Sequence, residues 1–267
     1  RSISSSFVIW IASNMKYKLL VTDIDGTLTA NDGIINEKTA HTIKKAVEHG
    51  MYVVLASGRA FAATKVLRKY LGLVNMPTIC QNGAVVVDAD GAVVEKYTLG
   101  SYLEPCKRGK EYGCGVVAWC GDELYCESYD ERVAEYERIL GVSASVRPFD
   151  ELDDVTKVLW ITTDEKAERL EAEMQSDKYV CHRSRKNFLE FVSNDATKGN
   201  ALESIARMLG VSVLETVALG DGMNDISMLR SAGLGAAVKN AAKEAKENAD
   251  TVIDTDVCDF ILGLIDA

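Results

Sequence analysis

The 267-residue sequence has no excess of basic residues. Its 30 Lys and Arg stand against 40 Asp and Glu, which gives a formal net charge of −10. A nucleic-acid-binding surface needs clustered Lys and Arg, and an anionic membrane attracts the same residues. The charge balance therefore argues against both partners. A small phosphorylated substrate is compatible with it, because a bound cation and a few local basic side chains set the field in a pocket.

Patterns of zinc sites and disulfide frames are also missing. The seven cysteines are odd in number, and none belongs to a Cys-x-x-Cys pair. We predict reduced thiols that mostly fill core positions of a cytoplasmic protein. His41 and His49 have no acidic or cysteine partner at ligand spacing, so we expect solvent-facing helix residues. The cysteines are Cys80, Cys106, Cys114, Cys120, Cys126, Cys181 and Cys258.

Residues 1–14 offer no recognisable targeting signal. Their apolar run, 7–12, is far too short to span a bilayer, and no signal-peptide cleavage pattern follows it. We interpret 1–14 as a non-native leader, with the native chain beginning at Met15. The remaining composition, 47% apolar and 26% charged, is typical of a globular protein.

An acidic pair follows the first apolar strand. Residues 18–22 (KLLVT) lead into Asp23, Ile24, Asp25 and Gly26. Ligands of open α/β sheets collect at the carboxyl ends of the strands, so we expect both carboxylates at the reaction face. Their alternation with Ile24 predicts that they point the same way. Such a pair either binds a hard cation such as Mg2+ or keeps one carboxyl protonated as a general acid.

Polar residues also follow the carboxyl ends of two further predicted strands. The apolar strand 51–56 ends in Ser57, Gly58 and Arg59 before a helix, an arrangement that binds anions through free backbone N–H groups. The strand 215–219 runs into 220–225 (GDGMND), a glycine-rich acidic loop that lacks the longer ligand pattern of an EF-hand. Lys198 begins a helix, where its charge is unfavourable, and this conflict favours a functional role.

The pattern of predicted elements changes twice along the chain. Apolar strands alternate with helices before about residue 84 and after about residue 189, which indicates an α/β fold with a doubly wound sheet. Between these points, a hairpin at 85–94 and strands near 116–119, 124–127, 155–161 and 179–182 are interspersed with helices. This middle segment predicts an α+β layer with an antiparallel sheet, in which Trp119 and Trp160 are core residues.

Four motifs together resemble the haloacid dehalogenase superfamily. They are Asp23-x-Asp25-Gly26-Thr27, Ser57, Lys198 and the acidic loop 220–225, in the family's order. The resemblance implies a Rossmann-like, mostly parallel core built from 15–83 and 190–267. It also implies an inserted cap, 84–189, similar to the type IIB cap of Cof-like, sugar-phosphate and archaeal-type phosphoglycolate phosphatases. The cap would supply substrate specificity.

The resemblance also implies roles for individual residues. Asp23 would be the nucleophile that forms an aspartyl-phosphate, and Asp25 the general acid and base. Mg2+ would be held by the Asp23 carboxylate, the Asp25 carbonyl and Asp221, supported by Asp225 or Asn224. Lys198 would reduce the repulsion between Asp23 and the phosphate. The expected substrate contacts are Ser57, the N–H groups of Gly26, Thr27 and Gly58, the cation Arg59, Asn224, and Asn82 in the Asn-Gly-Ala sequence that opens the cap.

The basic run at 182–187 leaves two interpretations open. Arg183 or Arg185 would reach a substrate carboxylate or sugar hydroxyl, or both are solvated loop charges. The function implied is a Mg2+-dependent phosphatase of a small phosphorylated metabolite, a sugar phosphate or phosphoglycolate. A phosphomutase of the same superfamily and a non-catalytic metabolite sensor are the alternatives. We expect a monomer or a homodimer.

Overall fold

The computed structural model describes residues 15–29 and 34–266, so the predicted leader 1–14 lies outside the described residues. The strands are β1 (Leu19–Thr22), β2 (Tyr52–Ala56), β3 (Thr78–Cys80), β4 (Val85–Val87), β5 (Val93–Lys96), β6 (Gly115–Cys120), β7 (Glu123–Cys126), β8 (Ala144–Val146), β9 (Lys157–Ile161), β10 (Val180–Arg185), β11 (Phe188–Val192), β12 (Thr216–Gly220), β13 (Leu234–Val238) and β14 (Thr251–Ile253). The helices are α1 (Glu37–Glu48), α2 (Phe61–Leu71), α3 (Leu103–Glu111), α4 (Glu131–Leu140), α5 (Asp164–Glu173), α6 (Lys198–Leu209), α7 (Ile226–Ser231), α8 (Lys243–Glu247) and α9 (Val257–Ile265).

The described chain divides into two compact units. Unit 1 contains residues from 15–56, 67–77 and 202–266, and unit 2 contains 57–66 and 78–201. Both units contain strands and helices, and the predicted α/β class with a mostly parallel sheet is confirmed. The predicted core and cap bounds, at residues 84 and 189, stay a prediction.

Unit 1 is built on five parallel strands in the order β14-β13-β12-β1-β2. The central strand β1 pairs Leu19 with Thr216 on one side and with Tyr52 on the other. Every residue of β1 is buried, as expected for a strand covered on both faces. Because the strands are parallel, their carboxyl ends meet at one edge, where β1 and β12 each deliver a loop.

Local signals in the sequence explain where α1 begins and ends. The Asn36 side chain accepts a hydrogen bond from the Thr39 N–H (2.8 Å), which caps the helix. Gly50, with φ of +98°, follows the last turn. The apolar face of α1 is buried and packs against α9.

Unit 2 contains a six-stranded sheet in the order β10-β11-β9-β6-β7-β8. Neighbouring strands in this sheet are antiparallel, except for the parallel pair β7 and β8, so the predicted antiparallel sheet is present. Trp119 and Trp160 belong to two different apolar clusters, and both are buried as predicted. This unit also contains β3, β4 and β5, in which β4 pairs antiparallel with each of the other two.

A buried ion pair lies within this sheet. Lys157 on β9 donates to the Glu190 carboxylate on β11 (3.2 Å), and both side chains are buried. Burial opposes charge on each, but the attraction between them dominates. It raises the pKa of Lys157 and lowers that of Glu190. His182 Nε2 lies 3.8 Å from the second Glu190 oxygen.

Three elements were not predicted, namely β8, β11 and α7. The residues of β8 are mostly exposed and few, so they carry no hydrophobic alternation. The expected end of the cap at 189 falls inside β11, whose Glu190 interrupts an otherwise apolar strand. The strand predicted near 179–182 extends further than expected, because β10 runs to Arg185, so the interpretation of Arg183 and Arg185 as loop charges is wrong.

All seven cysteines are free, and six are buried, so the prediction of reduced thiols at core positions is confirmed. His41 and His49 are exposed on and beside α1, as expected. Across residues 15–29 and 34–266, no helix combines the length and the apolar character that a membrane crossing requires.

Candidate functional site

The first acidic loop begins where β1 ends. The Asp23 N–H donates to the Leu219 carbonyl of β12 (2.9 Å), so the start of the loop is fixed to the neighbouring strand. Asp23 is buried and Ile24 fully so, whereas Asp25 is exposed. The predicted acidic pair therefore divides into an enclosed carboxylate and one open to solvent, and only an open group exchanges protons freely with water.

A tight turn follows the pair. Gly26 has φ of +92°, a conformation that a side chain disfavours, and its N–H donates to Thr29 Oγ1 (2.9 Å). Asn240 Nδ2 donates to the Gly26 carbonyl (3.1 Å). The Gly26 N–H, predicted to bind a phosphoryl oxygen, is thus engaged within its own loop in this structure.

The second acidic loop follows β12 in the same unit. Asp225 is fully buried, and its Oδ2 accepts hydrogen bonds from the N–H groups of Asp221 and Gly222 (2.8 Å each). One carboxylate oxygen of Asp225 therefore shapes the loop. Asn224 is exposed, and its Oδ1 lies 2.6 Å from the position that a Cβ on Gly222 would take.

The two loops bring three carboxylates together, which we name the acidic cluster: Asp23, Asp221 and Asp225. Each offers one oxygen, and these oxygens lie within 4.8 Å of one another. Thr27 Oγ1 donates to Asp221 Oδ1 (3.1 Å). Gly26 makes the close approach possible, because a Cβ there would lie 2.3 Å from Asp221 Oδ2.

Charge repulsion decides what the acidic cluster can hold. Two ionised carboxylates at this spacing repel by about 3–4 kcal/mol at an effective dielectric constant of about 20. A cation relieves this repulsion, and three carboxylate oxygens suit a hard divalent ion such as Mg2+. The donor set therefore fits the implied cofactor, with Asp23, Asp221 and Asp225 as its side-chain ligands. The Asp25 carboxylate is not a member of this group.

Unit 2 holds the predicted anion-binding loop. Ser57 is buried, its N–H donates to the Ile79 carbonyl (3.0 Å), and its Oγ accepts from the Arg59 N–H (3.2 Å). Asn82 lies beside this loop. Its N–H donates to the Ser57 carbonyl (3.0 Å), and its Oδ1 lies 3.2 Å from where a Cβ on Gly58 would be.

Lys198 begins α6 and is fully buried. Its backbone lies against Gly83, where a Cβ would be 2.8 Å from the Lys198 N and 2.2 Å from the Thr197 carbonyl oxygen. A lysine at the start of a helix is usually solvated, and burial of its charge is costly without compensation. This burial agrees with the functional role expected from the sequence.

Two predicted substrate residues of unit 2 have other partners. Arg183 pairs with Glu171 (3.0 Å) and Asp164 (3.3 Å), which fastens β10 to α5. Arg185 is exposed, and its guanidinium lies 5.9 Å from the centre of the Phe188 ring. Neither is a solvated loop charge, because both lie on β10. A substrate contact for either stays a prediction.

The predicted site residues therefore form two sets. Unit 1 brings together Asp23, Asp221, Asp225 and Thr27, and unit 2 brings together Ser57, Gly58, Asn82 and the start of α6. Convergence of the two sets on one cation stays a prediction. Sequence reasoning did not identify Asn240 or Thr29, because a polar residue that binds a backbone group carries no distinctive pattern.

A protein-family model described as haloacid dehalogenase-like hydrolase matches residues 20–261. Among curated proteins, the 5-amino-6-(5-phospho-D-ribitylamino)uracil phosphatase YcsE of Bacillus subtilis is 28% identical over 257 residues, which cover 93% of this chain and 94% of that protein. Phosphatase YwpJ of the same organism is 29% identical over 271 residues, 88% of this chain and 94% of its own.

Solved structures of other proteins are also similar to this chain over most of its length. Protein TM0651 from Thermotoga maritima is 31% identical with a TM-score of 0.79, covering 92% of this chain and 97% of its own. A haloacid dehalogenase-like hydrolase from Bacteroides thetaiotaomicron is 26% identical with a TM-score of 0.78, covering 93% and 99%.

Proposed function

Because this chain belongs to the haloacid dehalogenase-like hydrolases and its relatives YcsE and YwpJ are named as phosphatases, we propose that it hydrolyses a small phosphorylated metabolite in a Mg2+-dependent reaction. The observation that carries the proposal is the acidic cluster. Its three carboxylates, delivered by neighbouring parallel strands, suit a divalent cation and include the expected nucleophile Asp23.

The chemistry assigned to the chain is a double displacement. An oxygen of Asp23 attacks phosphorus, the bond from phosphorus to the leaving oxygen breaks, and an aspartyl-phosphate forms. Water then attacks phosphorus and releases inorganic phosphate together with the free Asp23 carboxylate. The bound cation supplies neutralisation of the phosphoryl charge.

Asp25 is proposed to handle the protons of both steps. It would give a proton to the leaving alkoxide and later take one from the attacking water. Its exposure supports this role, because a carboxyl in contact with solvent re-equilibrates its proton between turnovers. Ser57 and the N–H groups of Thr27 and Gly58 would donate hydrogen bonds to the phosphoryl oxygens.

Asn82 and Lys198 complete the proposed machinery. Asn82 would contact the substrate from beside the Ser57 loop, and Lys198 would reduce the repulsion between the incoming phosphate and Asp23. We propose that Arg59 and Asn224 have the roles that the family resemblance implies. We also propose that the inserted cap has the bounds predicted from the sequence. The seven free cysteines support a reducing compartment, the cytoplasm.

The proposed substrates are sugar phosphates and phosphoglycolate. The relative YcsE is named for a phosphorylated ribityl compound, which supports a phosphate carried on a small polyol chain as a third class. All three classes are phosphate monoesters of small hydroxylated compounds, so they belong in one screen.

The test is a panel of phosphorylated metabolites, assayed for phosphate release with Mg2+ and with a chelator. We expect release with Mg2+ alone, and loss of turnover in Asp23→Asn, whose amide cannot form the aspartyl-phosphate. Asp254→Asn, which alters an exposed carboxylate of the same unit outside the acidic cluster, is the matched control and should keep wild-type rates.

Other outcomes would replace the proposal. Near-normal rates in Asp23→Asn would refute the assigned nucleophile. Interconversion of sugar phosphate isomers activated by a bisphosphorylated sugar would identify a phosphomutase. Tight binding of a metabolite without turnover would identify a sensor.

A further inference from the structure

We propose that the turn at Gly121 and Asp122, together with Gln81 and Thr156, is a positioning clamp that holds the loops carrying Ser57 and Asn82. All of these residues belong to unit 2. None of the clamp residues is assigned to contact the substrate. The inference rests on the proposed function, because Ser57 and Asn82 are proposed there to bind the phosphorylated substrate.

The first observation is backbone strain. Gln81 and Asn82 have φ of +50° and +57°, and Gly83 follows with +101°. Two successive non-glycine residues with positive φ are strained, and such strain persists only where the surrounding contacts hold the backbone in place. These residues form the connection between β3 and β4.

The second observation is what holds Gln81. Its side chain is buried, its Nε2 donates to the Gly121 carbonyl (2.5 Å), and its Oε1 accepts from Thr156 Oγ1 (2.7 Å). Both ends of the amide are therefore fastened to the six-stranded sheet. Gly121 lies in the turn between β6 and β7, and Thr156 precedes β9.

The third observation is that the same turn holds the other loop. Asp122 Oδ1 accepts a hydrogen bond from the Phe61 N–H (2.8 Å), the first residue of α2. A carboxylate at this position caps the helix and suits its positive end. Because Phe61 follows the Ser57–Gly58–Arg59 loop closely, its position helps to fix that loop.

The two held loops are also joined to each other. The Gln81 N–H donates to the Arg59 carbonyl and the Asn82 N–H to the Ser57 carbonyl, both at 3.0 Å. Movement of Gln81 would therefore displace Asn82 and the Ser57 loop together. An error of about 1 Å in such positions lowers rates by about a hundredfold. The clamp acts through Ser57 and Asn82, so its members are positioning residues.

Hydrogen exchange tests the clamp without any assay of activity. In the full-length Gln81→Met variant, which keeps side-chain length but loses both side-chain hydrogen bonds, we expect the amides of 57–61 and 81–84 to exchange at least about tenfold faster. Amides elsewhere in the chain should keep their wild-type rates. Unchanged exchange at 57–61 and 81–84 in a folded variant would overturn the proposal, even if no substrate had been found.

A charge variant tests the functional consequence. Gln81→Glu can still accept from Thr156, but it donates to the Gly121 carbonyl only when its buried carboxyl is protonated. At neutral pH we expect kcat/KM to fall about ten- to a hundredfold. As the pH is lowered, its kcat/KM relative to wild type should rise, whereas the ratio for Gln81→Met should stay flat.

Two controls separate positioning from loss of folding. Gln175→Glu adds the same charge at an exposed position of unit 2 and should track wild type at every pH. Thr156→Ser, which keeps the hydroxyl, should retain activity that Thr156→Val loses. Wild-type kcat/KM in folded Gln81→Glu and Gln81→Met would overturn the clamp, whereas an active Asp23→Asn would overturn the proposed function alone.

Discussion

A comparison of Gly26→Ala with a second glycine variant should separate the effect on cation binding from the effect on folding. An alanine Cβ at this position would lie 2.3 Å from Asp221 Oδ2 and 2.8 Å from its Cγ. Ordinary contact requires the carboxylate to retreat by about 1 Å, which withdraws it from Asp23 and Asp225. The φ of +92° is also one that alanine rarely adopts.

The expected loss of stability in Gly26→Ala has two parts, one from backbone strain and one from weaker Mg2+ binding. Backbone strain should cost about 1–3 kcal/mol, and each kcal/mol lowers Tm by about 2–4 °C in a chain of this size. At a Mg2+ concentration about a hundredfold above Kd, wild-type protein gains about 2.7 kcal/mol from binding. A hundredfold loss of affinity, of the order seen when a metal site is disturbed, reduces this gain to about 0.4 kcal/mol.

The assay is thermal unfolding with and without Mg2+, compared with a matched glycine variant. Gly210 also belongs to unit 1 and has φ of +68°, but nothing lies within 4 Å of its would-be Cβ. Gly210→Ala should lose stability through strain and keep the full rise in Tm on addition of Mg2+. Gly26→Ala should lose stability through strain and also lose most of the rise in Tm on addition of Mg2+. An undiminished Mg2+ response in Gly26→Ala would refute the assignment of the acidic cluster.

Three further predictions concern unit 2. Glu190→Gln leaves Lys157 buried without its counter-charge and should lower the free energy of unfolding by about 3–5 kcal/mol in urea titrations, while the exposed Glu168→Gln should change little. Because the pKa of Glu190 is lowered from its usual 4.5, the stability gap between wild type and Glu190→Gln should be full above about pH 5 and shrink as the pH falls below 4.5. Burial raises the pKa of Cys106 and of Cys181 to about 12, so a thiol reagent at about pH 8 should label them only after unfolding, and rapid labelling of the native protein would contradict their burial.

Sequence patterns predicted the strand exits well, because those patterns are local. The apolar run of β1, the acidic residues after it and the glycine-rich loop after β12 are each contained in a few consecutive residues. Parallel pairing then places the exits at one edge of the sheet, which is why Asp23 and Asp221 could be expected to meet.

Contacts between distant segments could not be predicted. Nothing near Gln81 indicates that its amide binds Gly121 and Thr156, because those partners are distant in the sequence. The burial of Lys157 and Glu190 depends in the same way on strand register. A charged residue within a strand is predicted to face solvent unless the strand that pairs with it is known.

The placement of β1 has a consequence for synthesis of the protein on the ribosome. Thr27 and the aspartate that its hydroxyl contacts are 194 residues apart in the chain. The strand β1 pairs with β12 across a similarly long interval. A nascent chain therefore carries the first acidic loop through the translation of all the intervening residues without the carboxylates that complete the acidic cluster. Phosphoryl-transfer competence should appear only after β12 and the loop that follows it have left the exit tunnel.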